Sequence, residues 1–465
     1  MKRKGQAALK PASQGSKVPG LDAAAAVVAA GGRVPKKFVK ARPASAGPTL
    51  EAATSRAKIT PARRVAFEIL AAVEAGKGHS DDLLRGPGME ELSEADRNLA
   101  TALVMGVLRW QIALDARIRM LLERPDQKLA EPVALVLRIG AFQLLHMDRI
   151  PAHAALSESV EMCRAAGNPH ATGMVNAILR KVATAQKPGE RLFESTAAFA
   201  ERLGHPRWLV ERWVAAYGRD AALAVCAADQ QEPEAGRLFA HDESLPQIDD
   251  GSRLVAELAA AAMPAVERRP AKVWDCCAAP GGKTLMLAVR TPGAEVRATD
   301  ISVKRLRHMQ ARFRRFPYAA EIKTAVVDAA LPPTRPGEYD LILCDVPCSG
   351  TGTLGRNPEI RLRLKPEELV RQAERQRQIL EVALQNLAPG GRLVYSTCSL
   401  EPEECESVVD AVAQGWRRVS VAELLEKIPG IIGETQTMVR DGALRTLPGV
   451  HPCDGFYAVV LERAV

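Results

Sequence analysis

From Lys272 onward the hydrophobic pattern changes period, and this change constrains the fold more than any other feature of the chain. Short apolar runs at 272–276, 294–299, 321–327, 339–345 and 392–396 alternate with helical spacing near 284–289, 302–313, 366–387 and 402–412. Such alternation predicts a parallel sheet covered by helices on both faces. Ligands of such sheets bind outside the carboxyl ends of the strands. A final run, 455–461, follows no long crossover helix, so it is expected to close the sheet as an antiparallel strand.

The first strand leads into Asp275-Cys276-Cys277-Ala278-Ala279-Pro280-Gly281-Gly282-Lys283-Thr284. Small residues let backbone approach a ligand, and the helix that follows supplies free N–H groups. The end of this string imitates a phosphate-binding P-loop, but that motif needs Gly five residues before Gly282, where Cys277 stands. A nucleotide-like ligand and a plain strand-to-helix turn both remain open on this segment alone. Asp300, about 20 residues on at the end of the second strand, suits hydrogen bonds to ribose hydroxyls. The alternative is an Asp meeting a helix dipole. Asp328 ends the third strand and could face the same ligand.

The fourth strand ends in Asp345-Val346-Pro347-Cys348-Ser349-Gly350 and the fifth in Thr397-Cys398-Ser399. One carboxylate and two thiols are thereby sent to one sheet edge. A lone buried Cys is usually a small hydrophobe, and Cys163, Cys226, Cys276, Cys344, Cys405 and Cys453 are read that way. Two strand-end cysteines beside a cofactor-type loop point to chemistry. The nine cysteines are an odd number without a C-x-x-C pair, so free thiols and a cytoplasmic protein are expected. The adjacent Cys276 and Cys277 lack the spaced pairs of a zinc site, and no metal site is expected.

Length allows about three domains at ~150 residues each. No run approaches the ~18 apolar residues of a membrane span, and no secretory signal is read at the N-terminus. Residues 1–60 carry twelve Lys and Arg against two Asp and Glu, a net of +10, which leaves −2 of the total +8 for the rest. The basicity belongs to the tail: residues 1–58, rich in Ala, Pro, Gly, Ser and Lys, are expected to be disordered. Attraction to phosphates and simple solubilisation are both open for it. A transit peptide fits its Pro and Lys poorly. From Thr60-Pro61, read as a helix N-cap and first-turn Pro, apolar residues recur at helical spacing. Helices are expected near 99–112, 115–122, 130–145, 154–166 and 171–182, with no strand. Beyond them His205-Pro206-Arg207-Trp208-Leu209 opens another helix, and 232–248 is polar and irregular.

The helical segment resembles the NusB-like RNA-binding domain through Ser93-Glu94-Ala95-Asp96-Arg97, Leu137-Arg138-Ile139-Gly140-Ala141-Phe142 and Asn176-Ala177-Ile178-Leu179-Arg180-Lys181. Residues 271–465 resemble the NOL/NOP/Sun family of RNA cytosine-5 methyltransferases. The pairing of Pro347-Cys348 with Thr397-Cys398 carries this, with Arg356-Asn357-Pro358-Glu359-Ile360-Arg361 and Asp454-Gly455-Phe456-Tyr457 beside it. The resemblance implies a multidomain chain: an all-α NusB-like domain over 59–187, a helical linker with a reduced RNA-binding segment over 188–249, and an α/β Rossmann-like methyltransferase domain over 250–465.

It further implies S-adenosylmethionine as cofactor, held by Cys277, Ala278, Ala279, Pro280, Gly281, Gly282, Lys283, Asp300, Arg305, Asp328 and Asp345. Cys398 would be the nucleophile, Cys348 would assist release, and Asp345 would bridge towards the cytosine. The implied partner is RNA, small-subunit ribosomal RNA in particular; a monomer is expected, with no DNA or membrane. Two departures stand out. Residues 231–250 are too few for the small α/β RNA-binding segment usual in the family, and Cys405 replaces a frequent Asn. The competing readings are a DNA methyltransferase with a Pro-Cys nucleophile and a non-catalytic assembly protein; the Thr-Cys loop argues against the first and the complete residue set against the second. The run Lys304, Arg305, Arg307, Arg312, Arg314, Arg315 is either an RNA grip or a solvated face.

Overall fold

The computed structural model describes residues 59–184, 194–234, 236–267, 269–331 and 335–464; the basic tail lies outside them. The first part is a helical domain of α1 (Pro61–Glu74), α2 (Glu94–Leu121), α3 (Glu131–His146), α4 (Ala152–Ala165) and α5 (Thr172–Thr184). Its core takes Phe67, Leu70 and Val73 from α1, Leu103, Val107 and Leu108 from α2, and Ile139 and Leu179 from α3 and α5. No strand occurs among its described residues. Two expected helices, 99–112 and 115–122, are one: nothing between them breaks a helix, and Leu114 and Ile118 extend the buried stripe of Val107. Pro61 does open α1, but the Thr60 hydroxyl makes no cap bond. It donates instead to Glu158 on α4, at 2.8 Å, so a tertiary contact replaces the local one.

Three helices follow, α6 (Thr196–Arg202), α7 (Arg207–Tyr217) and α8 (Arg219–Ala228). They bury Phe199, Leu209 and Trp213 against Leu354, Leu400 and Leu447 of the α/β domain. The short stretch after them is irregular, as its polarity predicts, yet it is docked. Leu238 and Phe239 are fully buried, and the Asp250 carboxylate accepts the N–H groups of Arg237 and Leu238 at 2.8 and 2.9 Å.

The α/β domain begins with α9 (Asp250–Ala261). It continues through β1 (Lys272–Asp275), α10 (Gly282–Arg290), β2 (Glu295–Asp300), α11 (Val303–Phe313), β3 (Lys323–Val326) and β4 (Tyr339–Asp345). Then come α12 (Pro366–Gln385), β5 (Leu387–Thr397), α13 (Glu406–Val412), β6 (Arg417–Val419), β7 (Val439–Arg440), β8 (Ala443–Arg445) and β9 (Tyr457–Glu462). The sheet order is β3-β2-β1-β4-β5-β9-β8-β7, with β6 also on β9. The first five strands are parallel, and β9 runs antiparallel to β5 as expected. β5 begins at Leu387 rather than Arg392, and the short strands β6 to β8 were not legible, being two or three residues each. The order reverses between β1 and β4, which opens a crevice at their carboxyl ends.

Candidate active site

The buried run Val273-Trp274-Asp275 fixes β1 in the sheet centre, and the chain must then turn sharply. Ala278 N–H bonds Thr299 O on β2 at 2.8 Å, holding the turn against its neighbour. Gly281 has φ +90°, and a Cβ there would sit 2.5 Å from Met309 and 2.6 Å from Phe313. Only glycine serves both the left-handed backbone and the close approach of α11. Asp300 follows directly: its carboxylate accepts Ala279 N–H at 3.3 Å and Ser302 N–H at 2.8 Å. Arg305 stands 3.3 Å from that carboxylate and also donates to the Ala279 carbonyl. Asp328, just past β3, accepts Ala330 N–H at 3.1 Å.

Across the crevice, Asp345 at the end of β4 accepts Ser396 Oγ–H at 2.8 Å and pairs with Lys283 Nζ at 2.9 Å. Burial works against a charged Lys283, but Asp345 and Asp249 outweigh it and hold the ammonium above the ordinary lysine range. The two strand-end cysteines meet: Cys348 Sγ and Cys398 Sγ are 3.3 Å apart. The Cys348 thiol is raised well above its usual range, first by this hydrogen bond and then by burial.

One cleft of about 240 Å³ collects Cys277, Ala279, Asp300, Arg305, Asp328, Asp345, Cys348 and Cys398. A second, of about 200 Å³, is lined by Ala278, Pro280, Gly282 and Lys283, with Cys277, Ala279 and Asp345 common to both. Gly281 lines neither and serves as the turn between β1 and α10. A larger cavity of about 520 Å³ lies between the helical domain and residues 359–363. Its Arg138 is already paired with Glu74 and Asp115.

Sequence reasoning missed the group that fastens the two cysteine loops together. Glu404 is fully buried. It accepts Ser349 N–H at 2.8 Å, Ser399 Oγ–H at 2.6 Å and Gln376 Nε2–H at 3.1 Å, and the Ser349 hydroxyl as well. A serine directly after each cysteine was the available signal; it becomes meaningful only when both are seen to share one carboxylate. Gly352 N–H also bonds Cys398 O at 2.9 Å, so the loops are joined through backbone too.

In the sequence Asp275 is only the first residue of the turn. It is buried, with a single side-chain donor, Thr284 Oγ1–H at 2.6 Å. Burial, with the Asp345 charge beside it, pushes its carboxyl up to about 7. An acid raised in the folded state costs no stability below its unfolded pKa of ~3.9, and the cost grows to full size above the folded value. Asp275→Asn is therefore expected to unfold at higher denaturant than the parent chain at pH 8, by roughly 2–4 kcal/mol. The gain should shrink to nothing towards pH 4; a pH-independent difference in urea titrations would contradict this account.

Residues 264–462 match the family model described as 16S rRNA methyltransferase RsmB/F, and residues 60–184 match that of the NusB family. The chain is 31% identical over 428 residues to a Klebsiella pneumoniae protein named ribosomal RNA small subunit methyltransferase B, covering 83% of this chain and 95% of that one. A protein of the same name from Escherichia coli is 32% identical over 431 residues, covering 84% and 96%. The crystal structure of PH0851, at 21% identity and TM-score 0.66, covers 88% of this chain and 100% of that chain and shares the fold.

Proposed function

We propose, for a chain that belongs to the ribosomal RNA small subunit methyltransferase B family, that it methylates carbon 5 of a cytosine in 16S ribosomal RNA, with Cys398 as the attacking nucleophile. The observation that carries this reading is the 3.3 Å approach of Cys348 and Cys398 in a cleft they share with Asp345, Asp300 and Asp328. S-adenosylmethionine, when bound, supplies an electrophilic methyl group there. The residues fit that donor. The turn at Gly281 and Gly282 has no room for a Cβ, the start of α10 offers N–H groups, and Asp300 lies where a ribose hydroxyl is met in such folds.

The protein's own groups then divide the work. Cytosine C5 is a poor nucleophile until a thiolate adds at C6. The Cys348 thiol, raised by the neighbouring sulfur and by burial, stays protonated; Cys398 is the one that attacks, and the thiolate is the reactive form of a cysteine. Lys283, held as ammonium, supplies positive charge near it. Asp345 holds the base edge as charge develops, and the base must leave its stack to arrive. A water molecule takes the C5 proton, the C–H electron pair re-forms the C5–C6 double bond, and Cys398 leaves C6 as thiolate, with Cys348 assisting release. The cytoplasm, where ribosomal RNA is made and free thiols persist, suits the nine unpaired cysteines. The helical domain over 59–187 acts with the α/β domain over 250–465 on one RNA.

The test is a bisulfite map of ribosomal RNA from cells with and without this gene. One protected cytosine in 16S RNA should disappear in the deletion and return on complementation. Disappearance of a cytosine only from transfer RNA or DNA would refute the assignment.

A further inference from the structure

We propose that the outer face of α11 and the turn that closes it, from Lys304 to Arg315, form a docking surface for the phosphate backbone of the RNA substrate, leading into the cleft. The proposal rests on the reading above that the substrate is RNA. Residues 301–320 contain six Lys and Arg and no Asp or Glu, in a body that is otherwise net acidic. The six divide by position. Arg305 and Arg312 are turned inward, to Asp300 and Ala279 and to the Gln247 carbonyl at 3.0 Å. Lys304, Arg307, Arg314 and Arg315 are exposed and have no carboxylate partner among the described residues.

Lys304 and Arg307 lie on one face of α11, and Arg314 and Arg315 follow in the exposed turn that closes the helix, while Leu306, Met309 and Phe313 on the other side are buried under the β1–α10 turn. A face serving only solubility is ordinarily dotted with both signs of charge. Four unneutralised cations in a row match instead a ligand whose negative charges also come in a row. At one end of the surface stands Tyr318, 37% exposed, its ring 5.6 Å from Phe316. An aromatic beside cations suits the bases of an unpaired strand. At the other end, Ile301, 49% exposed, and Arg305 line the same cleft as Cys348 and Cys398. A strand held on α11 is thereby led to the reacting thiols.

The experiment uses the full chain with Lys304, Arg307, Arg314 and Arg315 all changed to Gln, and an RNA transcript of the small subunit as probe. Each lost phosphate contact should lower the slope of log affinity against log salt by ~0.7, so the slope should fall by about 3. Affinity near ~150 mM salt should drop on the order of 10- to 100-fold. The KM for RNA should rise while kcat at saturating RNA and cofactor affinity hold. Exchanging the three arginines for Lys should keep the slope, because charge alone is used. The pair variants Lys304→Gln/Arg307→Gln and Arg314→Gln/Arg315→Gln, each expected to give about half the change, serve if the fourfold variant fails to fold. An unchanged slope in folded variants that still methylate RNA would overturn this surface and leave the enzymatic reading standing. Absence of RNA methylation by the parent chain would overturn both.

Discussion

Cys398→Ala is expected to abolish methyl transfer, by at least ~10³-fold, together with any covalent RNA–protein adduct, while cofactor affinity is unchanged. The loss should be this large because removing the attacking thiol leaves C5 unactivated, and Cys348, raised well above its usual range, is a poor substitute. Cofactor affinity should survive because the turn at Gly281, with Asp300 and Arg305, forms without the β5 loop. Cys348→Ala should behave differently. Attack and methylation proceed, but the Cys398–C6 bond is not released, and a denaturation-resistant adduct builds up on a gel. The 3.3 Å contact makes the comparison sharp, since the two thiols stand side by side in one cleft. An adduct with Cys398→Ala and none with Cys348→Ala would reverse the assignment and favour a Pro-Cys nucleophile of the DNA-enzyme type.

Arg361→Ala should be the most destabilising single change outside the cleft, by roughly 3–5 kcal/mol. Its guanidinium is fully buried and donates to four carbonyls, those of Arg109, Gly204, Asp229 and Leu354, at 3.3–3.4 Å. These belong to α2, the segment before α7, the end of α8 and the loop after Cys348, so one side chain ties three parts of the chain. Burial lowers its pKa to about 10, against the pull of Asp229, and it stays charged at neutral pH. Its neighbours work alike: Glu359 accepts the Ser80 N–H and hydroxyl at 2.9 Å, and Arg363 donates to Val73 O at 2.6 Å and Gly78 O at 3.0 Å. Without Arg361 the carbonyls are stranded without donors, at ~1–3 kcal/mol each where water cannot reach. Calorimetry should then resolve two unfolding transitions, helical and α/β, where the parent chain shows one. A single transition at the parent temperature would mean that the ties do not couple the domains.

The sequence by itself determined a good deal. The change of period at Lys272 was enough for the parallel sheet, because strand and helix spacing are local consequences of backbone geometry. The glycine turn, Asp300, Asp345 and both cysteines were legible because each stands at the end of an apolar run, and parallel strands send their ends to one edge. The limits were also local. Spacing could not show that α2 is continuous through residue 113, nor that Thr60 spends its hydroxyl on Glu158 rather than on its own helix. The string Arg356–Arg361 was visible as a motif, but its work of joining domains was not, since its partners lie 132–279 residues away for Asp229 and Ser80. The same holds for Glu404, whose donors Ser349 and Ser399 come from two different loops, and for the four cations on α11 and the turn after it that have no carboxylate partner among the described residues. Their number was countable from composition, but which of the six point outward depended on Asp300, Gln247 and the packing of Leu306, Met309 and Phe313. Pattern along a chain records which faces are buried. The partner of a buried polar group is set by long-range closure of the fold, and that only the tertiary structure decides.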